Sequence, residues 1–347
     1  MKTKLKSGNE YERQWGEVVS EIDQRIAAGQ QDANQIAVES LEGLMGRFLS
    51  GRRFRSYYEN VGIRRDSDAL PAERIDVCDG VYRIVPFRGF QNDTVVSTVL
   101  DVLSSHREQV DCVVELGSGI GRNLFKLFHA ARDRLGVELE MHACELTDTG
   151  RTISETLHRL CPAMNLSIHE FDYYEPDLSF LGQGPNVLFV TVFSIEQITV
   201  LGKAVFDEML ARTESCFCLH FEPVGWQFDE RLCEQRSRSD TPAERIRKSV
   251  AKRLRKIGRP IDRAFKTRFD RGFPGIDLER GDIGSSDRVS RNAAVWSARA
   301  EYNKNLVSLL RNLERESRIT IEREDMNVYG DNPFNPASVI LWKKNTD

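Results

Sequence analysis

The stretch from Val113 to Leu124 constrains the fold more than any other part of the sequence. Its residues, VVELGSGIGRNL, place an acid and three alternate glycines between a short apolar run and a segment with helical spacing. This order predicts a strand, a tight turn and a helix. Glycine is needed where the backbone takes positive φ or lies against a ligand, and the first turn of a helix leaves N–H groups free. The stretch therefore predicts a nucleotide-binding turn.

The spacing of the glycines separates two classes of ligand. A dinucleotide-binding fingerprint counted from Gly117 would place its last small residue where this chain has Arg122. The pattern Glu-x-Gly-x-Gly-x-Gly from Glu115 to Gly121 instead resembles motif I of the class I S-adenosylmethionine (SAM) dependent methyltransferases. The resemblance implies that the turn passes under the amino-acid part of SAM and that Glu115 helps to hold its amino group.

Two further acids fit the same resemblance, since one predicted strand ends at Glu145 and the next leads into Asp172. The resemblance implies that Glu145 accepts both ribose hydroxyls and that Asp172 accepts the adenine amino group. Leu146 would pack on the adenine, and Phe171 or Tyr173 would be the apolar neighbour of Asp172. The candidate cofactor-binding residues are Glu115, Gly117, Ser118, Gly119, Gly121, Asn123, Glu145, Leu146, Asp172, Tyr173 and Phe193.

The order of predicted elements indicates an α/β fold. Helices and strands alternate between residues 90 and 225, which is typical of a parallel sheet covered on both faces. A long helix is predicted over Asn292 to Arg315, and two strands follow, Ile319 to Glu324 and Ser338 to Lys343. The resemblance implies a Rossmann-like methyltransferase fold, a mostly parallel sheet with a C-terminal antiparallel strand.

We expect four regions along the chain. Residues 1–89 form an N-terminal helical cap region with one short strand from Val81 to Phe87, and residues 90–225 form the SAM-binding core. A basic helical insert or lid follows over residues 226–290, and residues 291–347 complete the core. The N-terminal helices either cover the mouth of the site or serve as a packing or dimer surface. The sequence therefore leaves a homodimer as one of the alternatives.

The basic insert leaves three interpretations. Residues 231–272 contain 15 Lys or Arg and 5 Asp or Glu, with apolar residues every three or four positions. The segment is a lid whose cationic face meets an anionic substrate, a surface for anionic membrane or nucleic acid, or a packed helix with a solvated face. Because its aromatic residues do not interleave with the basic ones for base stacking and no RNA-binding module is recognisable, nucleic acid is the less favoured partner.

Composition and cysteine usage narrow the class of protein. Apolar residues make up 40% of the chain and charged residues 29%, which is ordinary for a soluble globular protein. The seven cysteines lack a metal-binding spacing, and Cys216 and Cys218 share one face of a predicted strand. We expect free thiols, no metal site and a reducing cytoplasm. No apolar run has the length of a transmembrane helix.

Candidate catalytic residues lie near the ends of the fourth and fifth strands of the predicted core. They are Glu196, His220 and Glu222. Methyl transfer to a hydroxyl requires alignment of the nucleophile and removal of a proton, which a carboxylate or an imidazole can accept. Glu196 could instead be a charge at a helix N-terminus, and His220 a core histidine.

These observations together predict a SAM-dependent methyltransferase that acts on a hydroxyl or amine of a polar small molecule or saccharide, anionic ones included. The layout resembles that of sugar and natural-product O-methyltransferases. One alternative is an RNA or protein methyltransferase that uses the basic insert. Another is a non-catalytic SAM-binding partner subunit whose interaction surface is the insert.

Overall fold

One mixed sheet runs through the chain, in a computed structural model that describes residues 4–49, 51–63, 72–87, 93–106, 109–182, 184–239, 273 and 275–345. Its strands are β1 (Glu73–Cys78), β2 (Val81–Pro86), β3 (Cys112–Leu116), β4 (Glu140–Glu145), β5 (Leu166–Glu170), β6 (Val187–Val192), β7 (Cys216–Glu222), β8 (Ile319–Gly330) and β9 (Ala337–Lys344). The helices are α1 (Lys4–Ala27), α2 (Ala33–Leu49), α3 (Arg52–Asn60), α4 (Thr94–Ser105), α5 (Arg122–Leu135), α6 (Asp148–Leu160), α7 (Ala204–Arg212), α8 (Glu230–Ser239), α9 (Ser286–Ala300) and α10 (Leu306–Arg315).

The strand order is β2-β1-β8-β9-β7-β6-β3-β4-β5. Neighbouring strands from β5 to β7 pair in parallel, and β9 lies antiparallel between β7 and β8. The order reverses next to β3, and such a switch point places ligands outside the carboxyl ends of the strands. The predicted fold class is confirmed: a Rossmann-like α/β fold with a C-terminal antiparallel strand.

Each face of the sheet carries its own apolar core because side chains alternate along a strand. Val113 belongs to the core beneath α4, α5 and α6, against which α1 and α2 also pack. Val114 belongs to the opposite core, which α7 and α10 cover. Both valines are fully buried, so β3 is held from both faces just before the glycine turn.

The hairpin of β1 and β2 extends the sheet beyond β8. The sequence predicted a strand near Val81 but did not predict β1, which pairs antiparallel with β2 and with the end of β8. Two charged residues hid the strand signal, yet both are buried. Arg74 donates from Nε to Asp76 Oδ1 at 2.8 Å, so each charge has a partner in the interior.

The prediction of one long helix from Asn292 to Arg315 is wrong, because α9 ends at Ala300 and α10 begins at Leu306. Glu301 takes a left-handed φ of 60° at the break. The amide of Asn303 donates to the carbonyl of Ile198 at 2.8 Å, and its Oδ1 accepts the N–H of Leu306 at 2.8 Å. These side-chain hydrogen bonds satisfy backbone groups in the connection between α9 and α10 and attach that connection to the segment after β6.

The basic insert lies mostly outside the described residues, so its helical pattern stays a prediction. The division of the chain into four regions also stays a prediction. All seven cysteines are free, as predicted from their spacing. Over the described ranges, every helix is too short or too polar to cross a membrane.

His220 lies in the core beside β9. Its side chain is 1% exposed, with Nδ1 2.9 Å from Thr191 Oγ1, and Nε2 accepts the indole N–H of Trp342 at 2.9 Å. Burial lowers the pKa of His220 from its usual 6.5 to about 3, so the imidazole is neutral in the folded protein. Both ring nitrogens are occupied, and we withdraw His220 as a candidate base.

Substitution His220→Leu should destabilise the protein by about 2 kcal/mol at pH 8, because the Trp342 N–H and the Thr191 hydroxyl lose their partner. The folded pKa lies below the unfolded one, so the stability that neutral His220 contributes is complete above pH 6.5 and lost as pH falls toward 3. The difference between the two proteins should therefore shrink by about 1.4 kcal/mol per pH unit below that point. Urea unfolding at pH 8 and in mild acid measures it, and a difference independent of pH would contradict the assignment.

Candidate functional site

The glycine turn lies where β3 ends, as the sequence predicted. Gly117, Gly119 and Gly121 have φ of 75°, 58° and 77°, a region that other residues rarely enter. A Cβ on Gly117 would lie 2.4 Å from the Cβ of Ser194, so the turn packs directly on the segment after β6. The glycines are thus required by both backbone conformation and close approach.

Two polar atoms at this turn are buried without a hydrogen-bond partner among the described residues. They are Oε2 of Glu115 and Oγ of Ser118. The other oxygen of Glu115 accepts the amide N–H of Asn123 at 2.6 Å, and the side chain is 1% exposed. Burial raises the pKa of Glu115 to about 7. A buried acceptor without a partner is costly, and a ligand with a cationic donor would satisfy it.

Glu145 faces the turn from the end of β4. Its carboxylate accepts the N–H of Gly119 at 3.0 Å and the N–H and hydroxyl of Thr147 at 2.9 and 2.7 Å. Burial raises the pKa of Glu145, and these donors oppose that shift. The structure therefore brings Glu145 to the turn, next to Leu146. Asp172 follows β5, where Oδ1 accepts the N–H of Tyr174 at 2.8 Å.

Tyr173, a candidate from the sequence for the apolar neighbour of Asp172, connects the ends of three strands through its hydroxyl. Its hydroxyl lies 2.9 Å from the carbonyl oxygen of Leu116 and 2.8 Å from Oγ of Ser194. Phe193 has a left-handed φ of 52°, and its ring centroid lies 5.7 Å from that of Tyr329. The roles of Asp172, Tyr173 and Phe193 toward a cofactor stay predictions.

Helix α1 contributes two side chains that the sequence did not reveal. A Cβ on Gly119 would lie 3.0 Å from the indole ring of Trp15. The carboxylate of Glu12 accepts the N–H of Asp148 at 2.8 Å and the hydroxyl of Thr149 at the start of α6. The helical pattern marks Trp15 as apolar, but no spacing indicates which loop it will cover.

Glu222 holds the segment after β6. Its carboxylate accepts the backbone N–H groups of Ser194, Ile195 and Glu196, each at 3.1 Å, and the side chain is fully buried. Burial raises the pKa of Glu222 to about 7, although the amide donors act in the opposite sense. Because its three donors are backbone groups of one segment, Glu222 is a positioning residue for that segment, and its role as a base stays a prediction.

Glu196 lies on the short 3-10 turn Ile195–Gln197 and is 6% exposed. Its Oε2 accepts the amide N–H of Asn335 at 2.7 Å, and its Oε1 accepts that of Gln197. The backbone carbonyl of Glu196 accepts the N–H of Asn303 at 2.9 Å. Burial raises the pKa of Glu196 to about 8. Residues from three parts of the chain thus hold Glu196, whose buried carboxyl belongs to the residue two positions after Ser194.

No protein-family model matches the chain, and no curated protein matches it. Solved structures do. The magnesium protoporphyrin IX methyltransferase of Synechocystis aligns at 10% identity and a TM-score of 0.38, over 73% of this chain and 83% of that protein. The methyltransferase domain of bacterial CtHen1-C aligns at 12% identity and a TM-score of 0.37, over 74% of this chain and 99% of the domain.

Geranyl diphosphate C-methyltransferase from Streptomyces coelicolor aligns at 11% identity and a TM-score of 0.38, over 72% of this chain and 78% of that enzyme. Likenesses of this extent assign neither a cofactor nor a substrate to the chain. The sheet order and the contacts at the glycine turn carry the proposal that follows.

Proposed function

We propose that the protein is a SAM-dependent methyltransferase that acts on a hydroxyl or amine of a polar small molecule or saccharide. The observation that carries the proposal is the buried, unpartnered Oε2 of Glu115 at a turn of three positive-φ glycines. A hydrogen-bond donor with positive charge fits this atom, and the amino group of SAM is such a donor.

The charges at the turn favour SAM over a dinucleotide. Glu115 and Glu145 bring two buried carboxyls to the turn, where a pyrophosphate would meet repulsion. Ser118 adds a second buried oxygen without a partner among the described residues. SAM has a sulfonium and an ammonium, so its charges complement these groups. The free cysteines support a reducing compartment such as the cytoplasm.

Glu196 is the proposed general base. SAM supplies an electrophilic methyl group, and the protein has to align the acceptor and remove its proton. The segment that carries Glu196 packs on the glycine turn through Ser194, which supports a position near the reacting atoms. A carboxyl whose pKa burial raises to about 8 is matched to proton transfer near neutral pH.

The purified protein should bind S-adenosylhomocysteine (SAH) in the micromolar range and should not bind NADH. Glu145→Gln should weaken SAH binding roughly tenfold or more, because the carboxylate loses its charge at the ribose position. Isothermal titration calorimetry measures both, and thermal unfolding checks that the variant folds.

Glu140→Gln is the matched control, since Glu140 begins the same strand β4 and its side chain is 52% exposed. This variant should bind SAH like the unchanged protein. Binding of NADH alone, or of neither ligand, would remove the methyltransferase proposal.

Methyl label from SAM should enter the small-molecule fraction of a cell extract and not its RNA or protein. Labelling should rise as pH increases through about 8, because only the deprotonated carboxyl of Glu196 accepts a proton. Glu196→Gln should abolish labelling while SAH affinity is retained. The measurement is radioactivity in fractions separated by size and by nuclease or protease digestion.

The exposed Glu214→Gln variant is the control and should keep full labelling. Label in RNA or protein would favour the alternative of an RNA or protein methyltransferase that binds its substrate through the basic insert. SAH binding without label in any fraction would favour the non-catalytic partner subunit.

A further inference from the structure

Arg122 and Tyr329 lie at the glycine turn but have no part in the chemistry proposed above. Arg122 is the first residue of α5, directly after Gly121. Tyr329 is near the end of β8, which runs parallel to β7 because both strands pair antiparallel with β9. The carboxyl end of β8 therefore lies at the same edge of the sheet as the turn.

The ring of Tyr329 packs in the apolar core, but the polar groups of both side chains have no partner among the described residues. Tyr329 is 6% exposed, and its ring centroid lies 5.7 Å from that of Phe193 and 6.3 Å from that of Phe221. Its hydroxyl makes no hydrogen bond to another described residue, and the guanidinium of Arg122 makes neither a hydrogen bond nor an ion pair to one. A largely buried side chain whose hydroxyl has no protein partner is available to a ligand.

The positive charge of Arg122 acts on both Glu115 and Tyr329. Burial raises the pKa of both groups, and the charge of Arg122 opposes each of the two shifts. Asp331 and Glu222 act on Tyr329 in the opposite sense. A cation directly after the turn and a phenol hydroxyl at the same edge of the sheet thus accompany the unpartnered oxygen of Glu115 near the end of β3.

We propose that Arg122 and Tyr329 bind the α-carboxylate of SAM while Oε2 of Glu115 binds its ammonium. The proposal rests on the function proposed above and adds the group that recognises the amino-acid end. An α-amino acid carries one ammonium and one carboxylate. Besides the Ser118 hydroxyl, the groups here without a partner among the described residues are a carboxylate oxygen of Glu115, which accepts, and the side chains of Arg122 and Tyr329, which donate. A guanidinium pairs with a carboxylate through two parallel hydrogen bonds, which an ammonium cannot do.

Two ligands separate the carboxylate from the rest of the cofactor. These are SAH and its decarboxylated analogue, in which hydrogen replaces the carboxylate. Arg122→Gln should weaken SAH binding roughly tenfold or more and leave the affinity for the analogue unchanged. Arg122→Lys should restore part of the SAH affinity, and Tyr329→Phe should weaken SAH binding about fivefold without affecting the analogue. Calorimetry on the full chain gives all affinities.

Arg132→Gln is the control, because Arg132 is exposed in the last turn of the same helix. This variant should bind both ligands unchanged. If the unchanged protein binds neither ligand, the proposed function itself fails. If it binds SAH and the analogue equally, or if Arg122→Gln weakens both equally, the carboxylate site is wrong. Unchanged SAH binding by Arg122→Gln would also overturn it, and would leave Lys126, one helical turn further, as the cation to examine.

Discussion

The carboxylate of Glu222 is the interaction on which the rest of the site depends. Its oxygens accept three successive backbone N–H groups, those of Ser194, Ile195 and Glu196, as carbonyl oxygens would in a helix. Because Ser194 packs on Gly117, the position of this segment also sets the shape of the glycine turn. A single buried acid at the end of β7 therefore connects the segment that carries Glu196 with the turn after β3.

Three buried carboxyls at the ends of the neighbouring strands β3, β6 and β7 give the site its electrostatic character. Burial raises the pKa of Glu115 and Glu222 to about 7 and that of Glu196 to about 8. With these raised pKa values the three carboxyls tend to be protonated near neutral pH, and a positively charged ligand would favour release of the protons. The arrangement supports a cationic cofactor, since a cation stabilises the deprotonated carboxylates whereas a phosphate would oppose their ionisation.

Sequence patterns predicted the features that depend on residue type and period. Alternate glycines marked the positive-φ turn, and the alternation of helices and strands marked the parallel part of the sheet. The patterns missed β1, because Arg74 and Asp76 have the composition of a surface strand although they neutralise each other in the interior. They also missed the break after Ala300, where apolar spacing continues across a turn held by Asn303.

Residue type alone could not assign the acids and His220. A glutamate after a strand suits a base as well as a backbone acceptor, and only the three amides directed at Glu222 show that it is a backbone acceptor. His220 is a core residue because Trp342, more than a hundred positions away in sequence, donates to it. The contacts of Trp15 and Glu12 likewise join helix α1 to distant loops.

The β1–β2 hairpin determines which backbone the sheet presents to other molecules. Without it, the twelve residues of β8 would form a long open edge, the kind that recruits strands from other copies. With it, the outermost strand on that side is β2, which has six residues, carries the exposed Arg83 and ends at Pro86. Charge and proline both oppose strand addition. Self-association through the described sheet is thus disfavoured at this edge, and a dimer there would need helical surface.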